Sequence, residues 1–162
     1  FFRYLFSHIA EQISRIPFVL IILLIVFLFN PDFFWLPGLK NSIFFVLATF
    51  LSFLVRFFIH WAFSCICFWS ERASAIERLL LIPYFFLSGM VAPLESFPIV
   101  IRNFALCTPF PYILDFPSRI LSTSESNLLS GFTFQLLWIV IFYFIGSILW
   151  KFGVEKYSAM GS

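Results

Sequence analysis

The chain has 162 residues, 62% of them hydrophobic and only 11% charged, with a net charge of +2 and a mean hydropathy of +1.02. A water-soluble domain carries roughly 25% charged residues, so most of this surface must be solvated by lipid rather than water. The small net charge and the absence of a dense basic cluster argue against a nucleic-acid partner.

The first sixteen residues, FFRYLFSHIAEQISRI, place Phe2, Leu5, Phe6, Ile9, Ile13 and Ile16 at helical spacing, with Arg3, Ser7, His8, Glu11, Gln12 and Arg15 on the other side. This pattern predicts an amphipathic helix lying on the membrane surface. Pro17 then suits the first turn of a new helix over 17–30, an uncharged run short for a bilayer but able to cross one. Asn30-Pro-Asp and Leu36-Pro-Gly mark a loop, with Trp35 as an interfacial anchor.

A second span is predicted over 42–69, followed by a polar turn at 70–78 in which Ser74 and Glu77 have capping-box spacing. A third span is predicted over 78–92, ending at the Gly89/Pro93 break, and the last over 128–150, with a polar tail at 151–162. Cys65 and Cys67 sit about 200° apart on a helix and cannot share an intrahelical metal. No cofactor is expected. The chain starts with Phe inside an amphipathic pattern and so reads as part of a longer polypeptide.

Basic residues near the predicted helix ends set the orientation. One topology puts Arg3, Arg15, Arg72, Arg78, Lys151 and Lys156 in the cytoplasm and Lys40, Arg102 and Arg119 outside, six against three. The interruption at 89–98 then lies on the outer side. Beyond Pro93, residues 97–107 are again apolar at helical spacing, yet too few to cross a bilayer. The residues leave two readings open. One is a short helix that dips into the outer leaflet, turns at Thr108-Pro-Phe-Pro111 and returns through 112–121. The other is an amphipathic helix resting on the outer surface.

FWSERASAIE at 68–77 with LSGMVAPLESFP at 87–98, TPFPY at 108–112 with Phe116-Pro117, and the closing GVEKYSAMG at 153–161 carry a resemblance. Together, in this order and spacing, they resemble the membrane subunits of ABC-2-type exporters. The resemblance implies an all-α polytopic membrane fold, with about four spans here as the C-terminal part of a six-helix permease, and termini in the cytoplasm of a prokaryotic plasma membrane. It also implies an outer-leaflet re-entrant hairpin at 93–127, involving Gly89, Pro93, Pro98, Pro109, Phe110, Pro111 and Pro117, as an outer gate. The segment 1–15, with Tyr4, His8, Glu11 and Arg15, would dock a separate ATPase subunit, and a second permease subunit would complete the pathway.

No catalytic constellation and no GxxxxGK[ST] phosphate loop is present, so the chain is not expected to be an enzyme. Arg56 lies near the middle of a predicted span, where a charge costs about 2.5–3.5 kcal/mol on insertion scales. His60 is one turn on. They are candidates for a pathway or for an interface with a second permease, unless the helix projects into the cytoplasm and Arg56 snorkels. Asp115 and Arg119, four apart, read as a local pair. Two other classes remain open: a membrane scaffold without transport, and an intramembrane enzyme built on Arg56 and His60.

Overall fold

The computed structural model describes residues 2–29, 38–69, 75, 78–122 and 128–160, all of the regular structure among them being helical. They fall into two units, Phe1–Gly38 and Leu39–Ser162.

The first unit is a single helix, α1 (Phe2–Phe29), which passes through Pro17 without a break. The surface helix over 1–16 and the span over 17–30, expected as separate elements, are one rod. Proline removes one backbone donor and with it the bond to the carbonyl of Ile13. An amphipathic helix before Pro17 and an uncharged run after it keep the helix going, because in lipid a helix is how one segment satisfies its own backbone. Leu5–Phe29 spans 25 residues, about 38 Å at 1.5 Å per residue, enough to cross. The expected loop at 30–37, with Trp35, lies outside the described residues.

The second unit is built on α2 (Leu39–Ser64), extended by a 3₁₀ turn at Cys65–Phe68. Apart from Phe57, its buried residues Ala48, Ser52, Val55, Ile59 and Ala62 recur every three or four positions, forming one stripe of small and branched side chains. The stripe packs against α6 (Leu128–Met160), 33 residues long. The polar tail expected at 151–162 is thus largely helical, carrying α6 to Met160.

Helix association in lipid depends on close packing more than on the hydrophobic effect, and small residues allow it. Here three glycines of α6 act as notches. A Cβ at Gly131 would come within 1.9 Å of the Phe116 ring, at Gly146 within 2.5 Å of Trp61, and at Gly153 within 2.2 Å of Phe68. Phe44 meets Phe132 with ring centroids 6.1 Å apart, Phe58 meets Tyr143 at 5.7 Å, and Phe68 meets Trp150 at 5.6 Å. Residue numbers rise together on both helices, so α2 and α6 run parallel.

Parallel neighbours require the chain between them to return. The return is made in pieces: α3 (Leu81–Leu87), a 3₁₀ turn at Leu94–Ser96, α4 (Ile99–Leu106) and α5 (Asp115–Ser122). Residues 78–92 therefore do not form the long third span predicted. Among the described residues three helices, not four, are long and apolar enough to cross a membrane. Pro83 is the reason: it cannot bond the Leu79 carbonyl, so the helix is interrupted at Leu80, whose φ −66° and ψ −23° remain helical. The other end stops at Gly89, whose φ of +82° is left-handed backbone that favours glycine. The Ser74–Glu77 capping box, with Glu71 and Arg72, falls outside the described residues.

Helices α4 and α5 are joined by a turn at 107–114. This turn secures the end of α4: the Thr108 amide donates to the Ala105 carbonyl at 2.8 Å, and the Tyr112 hydroxyl to the Leu106 carbonyl at 2.9 Å. Helix α5 lies against α2, with Phe116 and Ile120 buried beside Ala48.

Replacing Gly146 with leucine forces the Trp61 ring out of its notch. Overpacking of this kind costs about 1–3 kcal/mol, so the Gly146→Leu protein should unfold at lower temperature in detergent. Gly38→Ala, where a Cβ meets nothing within 4 Å, should leave the midpoint unchanged.

Candidate functional site

Two polar centres lie inside the second unit. The first surrounds Gln135 of α6, which is fully buried. Its Nε2 donates to the Ala48 carbonyl at 3.1 Å, the Ser52 hydroxyl at 2.9 Å and the Tyr112 carbonyl at 2.9 Å. The Ser52 hydroxyl donates to the same Tyr112 carbonyl at 3.0 Å. One amide therefore ties α2, α6 and the turn before α5 at a single point. Of these residues only Tyr112, in TPFPY, stood out in the sequence. The signal was there: Gln135 is an amide within a long uncharged run, and a polar side chain inside such a helix needs protein partners.

The second centre holds Arg56 and His60, one turn apart on the flank of the buried stripe of α2. The Arg56 guanidinium carbon lies 5.8 Å from the centroid of the Tyr84 ring of α3, a cation–π contact. Arg56, His60 and Tyr84 line a cavity of about 30 Å³, whose other walls are Ile59, Leu80, Leu81, Phe110 and Ile113. One water needs roughly 10–15 Å³ measured this way, so the space accommodates about two. Arg56 is only half-buried and is covered by α3. The structure thus joins the two candidates of α2 to Phe110, a candidate of the hairpin.

The remaining hairpin candidates are spread along the return path. Pro109, Pro111 and Pro117 are buried, while Pro93 and Pro98 are exposed. Gly89 lies against Asp115, where an added Cβ would come within 3.2 Å of that carboxylate. Asp115 pairs with Arg119 at 2.8 Å, as its spacing predicts, and Arg119 also reaches Glu95 at 3.5 Å. Burial pushes the Asp115 carboxyl up from its ordinary 3.8, against the pull of Arg119.

In the first unit, Glu11 bonds Arg15 on the next turn of α1, and His8 Nδ1 lies 4.0 Å from the same carboxylate. These groups are exposed or half-exposed; the side chain of Tyr4 is outside the described set. The Cys65 thiol contacts the Gly146 carbonyl at 3.8 Å, a packing role, while Cys67 and Cys107 are exposed.

The family described as "ABC-2 family transporter protein" matches residues 1–161, almost the whole chain. No curated protein and no solved structure matches it.

Two outcomes follow from the polar groups. Gln135→Leu leaves the Tyr112 and Ala48 carbonyls short of a donor and should destabilise the protein by about 1–3 kcal/mol, read as a lower unfolding midpoint in detergent. For Asp115 the folded protein favours the protonated acid. Its ionisation therefore removes stability as pH rises from about 3.8 through the raised folded value. Asp115→Asn should flatten the dependence of the unfolding midpoint on pH across that window.

Proposed function

The chain belongs to the ABC-2 family of transporter proteins, and we propose that it is the permease subunit of an ATP-driven exporter, working with a separate ATPase. The observation that carries this reading is the family match over residues 1–161, which takes in the polar start of α1, the broken return and the end of α6. Membrane subunits of this family are permease components, and catalysis of ATP hydrolysis falls to a partner. The prokaryotic plasma membrane is the setting, and a second permease subunit, identical or related, shares the pathway.

Three features support the coupling. The exposed groups His8, Glu11 and Arg15 stand on the same continuous helix as the apolar run to Phe29. A push on the polar end by an ATPase is then delivered to the membrane part without an intervening joint. Helix α5 sits near the ends of α2 and α6 where both helices begin, with Phe116 beside Ala48 and Phe132. On the charge bias of the sequence that side faces outward, and the hairpin forms the exit wall or gate there. The broken helix at Gly89 is what lets the chain turn back into that wall.

Affinity purification of the tagged full-length protein from native membranes in mild detergent tests the reading. A stoichiometric P-loop ATPase is expected, together with its loss when Glu11→Arg and Arg15→Glu are introduced singly. A preparation with no ATPase, under conditions that keep a known exporter intact, would overturn transport in favour of a membrane scaffold.

A further inference from the structure

Arg56 raises a question that the fold does not answer. Among the described residues its guanidinium has the Tyr84 ring as neighbour and makes no hydrogen bond or ion pair. It stands 17 residues from Leu39 and 12 from Phe68 within the span Leu39–Phe68, far from either end. A cation at that depth is retained where it meets a counter-charge or a polar path. No Asp or Glu among the described residues lines the adjoining cavity, whose polar walls are Arg56, His60 and Tyr84. The other walls, including Ile59, Leu80, Phe110 and Ile113, are apolar. Leu81 both lines the cavity and lies 45% exposed, next to the equally bare Ile82 and Phe85. The cavity thus borders an apolar outer surface, the kind that meets hydrocarbon rather than water.

Basic head and apolar approach together define a chemistry. We propose that the cavity of Arg56, His60 and Tyr84 binds the anionic head, phosphate or carboxylate, of a membrane amphiphile, and that such an amphiphile is the substrate class of this permease. The second clause rests on the permease reading above; the first does not. Guanidinium donors suit a planar or tetrahedral oxyanion, which they meet with paired N–H groups. Space for about two waters receives the head oxygens, while the tail lies along α3.

Binding of short-chain fluorescent phosphatidylglycerol, against phosphatidylcholine of the same chains, to the full-length protein in phosphatidylcholine nanodiscs tests the first clause. The anionic probe should bind at least about tenfold more tightly, roughly 1.4 kcal/mol. Arg56→Gln should abolish the preference and Arg56→Lys should keep part of it. Should Arg56→Gln fail to fold, Leu81→Trp, which fills the cavity from its edge, should block the probe equally. Equal binding of the two probes, or a preference that survives both Arg56→Gln and Leu81→Trp, overturns the site. Displacement by inorganic phosphate at the concentrations where the lipid binds would show a soluble anion as ligand and overturn the amphiphile. The substrate clause is read separately, as stimulation of ATP hydrolysis by phosphatidylglycerol in the co-purified complex and its loss in Arg56→Gln. Binding without stimulation overturns that clause alone. If no ATPase accompanies the protein, the permease reading falls while the binding comparison still decides the site.

Discussion

The second unit depends on one amide. Gln135 of α6 is placed where that helix meets α2 and the turn before α5, and its two N–H groups are shared among acceptors from α2 and that turn. In an apolar surrounding a hydrogen bond has no water to compete with it, and an unmade one is correspondingly costly. The carbonyl of Tyr112 belongs to an irregular turn that cannot satisfy it through helix bonding. It is accepted into the interior only because Gln135 and Ser52 both donate to it. The same convergence fixes the level at which the turn sits along the two long helices, and hence where Phe110 meets the cavity of Arg56.

The parallel run of α2 and α6 sets the second constraint. Two neighbouring helices that begin on the same side oblige the connecting chain to come back, and here it does so beside α2. Leu80 lies near His60, Tyr84 near Arg56 and Phe110, and Gly89 near Asp115. The irregular part of the return is anchored at Ser88 and Leu94, both buried, while Met90, Val91, Pro93, Glu95 and Ser96 are exposed. The interruptions at Pro83 and Gly89 therefore do more than shorten a span. They bring a tyrosine and a phenylalanine against the flank of α2 on which its two basic residues lie.

Much of this was legible in the sequence. The lipid-solvated class follows from charge content alone, the long helices from uncharged runs, and the start of α4 and the turn after it from Pro98 and TPFPY, with the Asp115–Arg119 pair from its spacing. What periodicity could not convey was continuity. Pro17 reads as a helix start, since proline is favoured there, yet the amphipathic helix before it and the uncharged run after it join into one α1. Pro83 has the opposite outcome within an equally apolar run, where the chain is already near Gly89 and has little helix left to propagate. Gln135 and the three glycines were missed because their meaning lies in what faces them. A glycine in an apolar helix becomes a notch only when a ring from elsewhere arrives, and one sequence does not say which ring.

Those notches have a mechanical consequence. Phe116, Trp61 and Phe68 each occupy a gap that only hydrogen can leave open, at three levels along α6. Suppose α6 slid by one turn relative to its neighbours. The Phe116 and Trp61 rings would then confront Gln135 and Trp150 in place of Gly131 and Gly146, and both levels would clash together. A slide of seven residues returns Trp61 to a glycine but sets Phe116 against Trp138. The interlock thus has a single register, like a key cut for one depth. Sliding of helix past helix, one of the two general ways in which packed elements rearrange, is closed to this pair. Whatever motion the second unit undergoes must carry α2 and α6 as one body and be taken up in the jointed chain between them.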